Sequence, residues 1–216
     1  MTTILYESFI AKHNKENDYN LLRKIVLSQI GTKQASEQAN ILLKRFGTIQ
    51  DVFGATTKDL TSEKNIEPLV IKEITKIKNT INSILRTNLT SKPVIGNIDN
   101  VVKYYKSIFL GKTRQQFHVL FLNEKHQFLA EHCMQIGTVN NIVICPKEII
   151  KTALKYNATE FIMVRNHPGG YALPSQQDTA LLKYINEVGP QIQLNLFEYI
   201  VIGEGNDCNF LNNKIK

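Results

Sequence analysis

Long apolar runs are missing. No stretch of the 216 residues approaches the roughly 20 consecutive apolar residues that span a bilayer, which excludes a membrane-spanning helix. The opening residues 1–17 lack a basic start, an extended apolar stretch and a small-residue cleavage site. No secretory signal is therefore expected. Cysteine is scarce. Cys133, Cys145 and Cys208 are the only three, and no two of them form a C-x-x-C pair, which excludes a disulfide framework and a cysteine-based zinc site. The expected compartment is the cytoplasm, and Cys133 and Cys145 read as small buried hydrophobes. Internal repeats and low-complexity tracts are also absent. With 43% apolar and 21% charged residues, the chain has enough apolar surface to exclude disorder as its main state.

The charge is uneven. The net value is +7. Residues 1–93 hold 14 basic and 9 acidic side chains, whereas residues 94–216 hold 12 and 10. A basic N-terminal half permits DNA contact through phosphates without requiring it.

Hydrophobic spacing divides the chain in two. Leu21, Leu22, Ile25, Val26 and Ile30 recur at helical steps, as do Ala35, Ala39, Leu42, Leu43 and Phe46 before a stop at Gly47. Short helical turns are expected around residues 48–54 and 57–63. Ile74, Ile77, Ile81 and Ile84 predict an amphipathic helix from about Pro68 to Leu85, with Lys72, Lys76 and Lys78 on its solvated face. Residues 88–96, with Pro93 and Gly96, read as a linker. The expected domains are therefore residues 1–90, all helical, and residues 97–216. The second alternates helices (99–109, 146–156, 175–188) with strands (117–122, 127–134, 160–164, 196–203), a pattern of the α/β or α+β class.

One segment carries chemistry. Arg165-Asn166-His167-Pro168-Gly169-Gly170 leaves a strand, and Ser175-Gln176-Gln177-Asp178 enters a helix. Residues two apart on a strand share a face, so Arg165 and His167 do. A histidine from the strand end and a carboxylate from the helix start are two ligands for a metal such as zinc. Ser175 and Asp178 are also spaced as a capping box, which stabilises a helix start by about 1 kcal/mol.

These residues resemble the RadC family, whose C-terminal domain is of the MPN/JAMM (JAB) type. The family's motif is His-x-His-Pro, six residues, then Ser-x-x-Asp. Pro168, Ser175 and Asp178 keep that spacing. Residues 117–123, 136–140, 146–148, Ala158 and 200–204 add to the likeness. A looser one runs through Gly31-Thr32 and Phe46-Gly47-Thr48. The resemblance implies an MPN/JAMM domain behind a helical domain carrying a degraded helix-hairpin-helix. It also implies a zinc metallopeptidase or isopeptidase ancestry and a link to DNA repair. Zinc is the implied cofactor, with His167 and Asp178 as ligands and Ser175 as oxyanion helper. The upstream general base would be Glu131, or His132 in its place.

Three departures matter. Arg165 stands at the first ligand position, and a guanidinium has no lone pair to give a metal. It could instead pair with Asp178. Residues 65–69, where the family resembles glycine-containing DNA-binding turns, have no glycine and include Glu67. Glu198-Tyr199 replaces an Asp-His pair. The expected function is thus a RadC-like protein with a weakened or lost metal site. The alternatives are an active zinc peptidase with a substitute ligand, and a non-enzymatic module. Expected partners are DNA at the basic half and a protein or peptide at the MPN pocket, with no membrane.

Overall fold

The computed structural model describes residues 15–91, 93–94, 98–138, 142–203 and 208–210. Of the linker, residues 92, 95 and 96 lie outside the described residues, as do Val139, Asn140 and Glu204 of the family-like segments. By compactness the chain separates into one unit ending at Ile84 and another beginning at Leu85.

The first unit is helical. Helix α1 (Lys15–Leu27) buries Leu22, Ile25 and Val26, and α2 (Thr32–Phe46) buries Ala35, Ala39 and Leu42. Helix α2 ends at Gly47, whose φ of 96° suits a residue without a Cβ. Two short helices follow, α3 (Ile49–Gly54) and α4 (Thr57–Ser62). Each is opened by a threonine–aspartate capping box, Thr48 with Asp51 and Thr56 with Asp59. The buried carboxylate of Asp18 accepts the N–H of Ile49 over 3.0 Å, tying α1 to the start of α3. The long helix α5 (Pro68–Thr90) begins with proline, as a first helical turn tolerates. Ile74 and Ile81 are buried, whereas Ile84 is exposed. Lys72 and Lys76 are exposed, but Lys78 turns inward and donates to the carbonyls of Gly54 and Ala55. The helix outruns its expected end because Leu89 is buried and holds a further turn. Residues 88–90 are therefore helix, not linker.

The second unit is α+β. Helix α6 (Ile98–Phe109) precedes strands β1 (Gln116–Leu122) and β2 (Phe128–Ile136). Helix α7 (Pro146–Lys155), β3 (Glu160–Asn166), α8 (Gln176–Val188), a 3-10 turn (Gly189–Ile192), β4 (Asn195–Ile202) and β5 (Cys208–Phe210) complete it. The sheet order is β2-β1-β3-β4-β5. Strands β3 and β4 run parallel and the other pairs antiparallel.

Register assigns the two faces. Phe117 opposes Arg165, Val119 opposes Met163 and Phe121 opposes Phe161, and this face carries the main core together with Ile149, Leu181 and Tyr199. His118 and Leu120 point the other way, where Tyr105 and Phe109 of α6 meet the His118 ring edge-on. The sheet thus lies between helices on both faces. Strand β2 is at its edge, which is why Cys133 is exposed and not buried. Cys145, just before α7, is exposed as well.

Candidate functional site

Strand β3 is apolar from Phe161 to Val164 and then turns polar at its carboxyl end. The last two residues, Arg165 and Asn166, are buried nonetheless. Asn166 secures the strand end. Its Oδ1 accepts the N–H of Gln116 over 2.5 Å and its amide donates to the carbonyl of Arg114 over 3.2 Å. Those bonds fix the entry to β1 and with it Gln115. Beyond Asn166 the His167 N–H donates to the carbonyl of Ile202 over 2.8 Å, extending the ladder by one residue.

The loop from Pro168 to Pro174 then crosses the end of β4. Gly169 adopts a φ of 67°. A Cβ on Gly203 would come within 2.6 Å of the Ala172 nitrogen and 2.7 Å of the Gly170 carbonyl oxygen. Glycine at 203 therefore lets the loop lie against the strand and delivers Ser175 to the helix start.

Ser175 caps α8. Its Oγ accepts the Asp178 N–H over 3.1 Å, while Asp178 Oδ2 accepts the Ser175 N–H over 2.8 Å and its hydroxyl over 2.6 Å. The capping reading of this pair is present in full. The other carboxylate oxygen points into the unit. Oδ1 of Asp178 accepts from Arg165 Nη1 over 2.5 Å and from the hydroxyl of Tyr199. Arg165 Nη2 donates to Gln115 Oε1 over 2.6 Å, and Nη1 lies 3.5 Å from Ser175 Oγ. Arg165 is 2% exposed and Asp178 0%. The charges are therefore paired out of water, where loss of either partner is costly.

Burial pushes the Asp178 carboxyl up, but the Ser175 and Tyr199 hydroxyls, the Ser175 N–H and the Arg165 charge together hold it below the ordinary aspartate value. Burial and the adjacent anion push the Tyr199 phenol far up, so it remains a donor. His167 is half-buried. Burial first, and the Arg165 charge second, lower its pKa, and the imidazole is neutral near pH 7. Its Nδ1 lies 3.3 Å from the Tyr171 carbonyl. Its Nε2 is buried and has no hydrogen-bond partner among the described residues.

The structure thus brings Arg165, Ser175 and Asp178 together, with His167 close enough to feel both charges. It does not bring Glu131 to them. Glu131 opposes Leu120 on β1, three residues along from Phe117, and so projects from the other face of the sheet. There its oxygens accept the hydroxyls of Tyr104 and Tyr105 over 2.9 and 3.0 Å. His132 opposes Val119 and is on the Arg165 face, but its Nε2 is 3.0 Å from the Tyr156 hydroxyl and its ring packs on Phe121 and Tyr156. Tyr199 and Gln115 complete the cluster, and spacing gave no sign of their roles. Alternation along β4 could have found Tyr199, since it shares the core face with Val201. The loop residue Gln115 carried no signal.

Of the expected ligands, only His167 has an uncommitted lone pair. Among the described residues no three His, Cys, Asp or Glu side chains converge to hold a metal ion. What the cluster can do is hold a fixed, neutralised charge pair beneath a loop that exposes Tyr171 and Leu173.

Comparison with known families places residues 95–215 of this chain on the model of the RadC-like JAB domain.

Proposed function

The chain belongs to the RadC-like JAB domain family, and we propose from that premise that it is a member whose metal position has been filled by Arg165. It then acts as a binding module and not as a hydrolase. The carrying observation is the buried Arg165–Asp178 pair. A zinc site of this type draws on lone pairs from three protein ligands. Arg165 offers none. Both oxygens of Asp178 are already engaged by Arg165, Tyr199 and Ser175. His132, the substitute that the sequence pattern offered, has its Nε2 3.0 Å from the Tyr156 hydroxyl. These residues do not fit a zinc ion. The guanidinium supplies the site with one fixed positive charge in its place.

The pocket would then recognise a protein or peptide segment, for which the exposed Tyr171 and Leu173 beside the Arg165 cluster supply apolar contact. The test is hydrolysis of peptide and isopeptide substrates in zinc-containing buffer. Wild-type protein is expected to release no product. Turnover that is abolished by His167→Ala would overturn the reading.

DNA association is a second reading, favoured by exposed Lys72 and Lys76 one turn apart on α5. It would run through side-chain charge and not through backbone amides. At the loop before α5, Gln38 Oε1 takes the Glu67 N–H over 3.0 Å, and Gln38 Nε2 donates to the Asn65 carbonyl over 2.9 Å. The Glu67 amide is thus taken up within the unit.

A further inference from the structure

On the face of the sheet away from Arg165, three groups with the chemistry of a nucleophile, a base and an orienting acid stand together. Cys133 and His118 are directly opposed across β2 and β1, so their side chains leave the same face as close neighbours. Glu131, two residues before Cys133, shares that face, with Oε1 3.5 Å from His118 Nδ1. His118 is more than nine-tenths buried, and its Nδ1 makes no hydrogen bond among the described residues. Cys133 is exposed on the edge strand.

Both ring nitrogens of His118 lie near acceptors. His118 Nε2 lies 3.2 Å from Gln116 Oε1. Nδ1 lies 3.5 Å from Glu131 Oε1, so an imidazolium would set both N–H donors towards acceptors, and a neutral ring with its proton on Nε2 leaves Nδ1 open as a base. The face the ring leaves from is the one that Cys133 shares. The Cys133 Sγ otherwise has a weak contact at 3.7 Å with the Gln135 carbonyl. Glu131 is held in place by the Tyr104 and Tyr105 hydroxyls and lies 3.9 Å from Arg86 Nε. The groups facing His118 are therefore Cys133 and Glu131 from β2 and Tyr105 from α6. Arg86 from α5 and Tyr104 from α6 lie behind Glu131. Burial disfavours the imidazolium, but Cys133 and Glu131 raise the His118 pKa above its ordinary value.

We propose that Cys133, His118 and Glu131 form a thiol-exchange site, at which Cys133 takes up a small disulfide as a mixed disulfide. The Cys133 thiol passes its proton to His118 Nδ1, giving a thiolate beside an imidazolium that Glu131 stabilises. The thiolate attacks one sulfur of the incoming disulfide. A bond forms between Cys133 Sγ and that sulfur, the old S–S bond breaks, and the second sulfur leaves as a thiolate. No further oxidant is needed, because the incoming disulfide is the co-reactant. The site is independent of Arg165 and of any metal.

Full-length protein is mixed with 2-hydroxyethyl disulfide, and the modified fraction of Cys133 and Cys145 is followed by peptide mass spectrometry between about pH 5.5 and pH 9. Cys145 is the exposed reference within the same molecule. At about pH 6, Cys133 is expected to react roughly tenfold faster than Cys145. His118→Phe keeps a ring against Tyr105 and Phe109 and removes the base. It is expected to bring the two rates within about twofold. Glu131→Gln is expected to remove part of the rate difference. A Cys133 profile that tracks Cys145 at every pH in the wild type overturns the proposal. So does a roughly tenfold rate advantage at about pH 6 that a folded His118→Phe protein keeps.

Discussion

Arg165 Nη1 donates to Asp178 Oδ1 over 2.5 Å, with both side chains almost wholly withdrawn from water. A buried pair of this kind is poorly replaced by half of itself. Arg165→Met leaves the Asp178 anion without its counter-charge and is expected to cost about 3–5 kcal/mol. Arg165→Met with Asp178→Leu removes both charges. It is expected to recover more than half of that loss, although Ser175 and Tyr199 then lose an acceptor. Urea unfolding of the single and double variants measures the coupling. Additive losses would mean that the two side chains act separately.

Acid should reveal the same pair. The folded-state pKa of Asp178 is depressed, so the folded protein binds fewer protons there than the unfolded chain. The stability this contributes is present above the unfolded value of about 3.9 and is lost as pH falls through the folded value. His167 is also depressed and acts in the same direction in a higher window, beginning below about pH 6.5. Asp178→Asn is expected to lower stability at pH 7 and to flatten its decline below about pH 4. An unchanged acid limb would remove Asp178 from this role.

Tyr199 should matter for stability without touching solvent. Its hydroxyl donates to a buried carboxylate, a bond of the charged class worth about 1.5–3 kcal/mol. Tyr199→Phe is expected to lose about that much by thermal or urea unfolding. Ser175→Ala removes the α8 cap and should cost about 0.5–2 kcal/mol. A loss below about 0.5 kcal/mol for both would mean the cluster is not fixed by these bonds.

Salt dependence tests the basic half. Where the chain binds DNA through side-chain charge, affinity falls with salt, and Lys72→Ala and Lys76→Ala each reduce the slope by about 1. Gln38→Ala, which opens the Glu67 amide, should leave the slope unchanged. Binding that is insensitive to salt would exclude the phosphate mode.

Much of the second unit was legible because its signals are local. Apolar runs set β1, β3 and β4, proline set the start of α7, and the Ser175–Asp178 spacing set the start of α8. The Arg165–Asp178 pair was legible because a guanidinium at a ligand position calls for an anion. Glu131 was not, because sequence spacing does not say which face of an edge strand a residue takes until its register is known. The same lack hid the exposure of Cys133. The end of α5 was misplaced because Leu89 finds burial beyond the last regular isoleucine, a tertiary effect that overrides the polar composition around it.

The most direct measurement is the zinc content of dialysed, untagged protein by plasma mass spectrometry, for wild type and Arg165→His. Under the proposal that Arg165 fills the metal position, wild type should carry close to no zinc. Arg165→His restores a second histidine two residues before His167 and should carry about one zinc per chain. About one zinc per chain in the wild type, lost in His167→Ala, would contradict the filled site and restore the hydrolase reading.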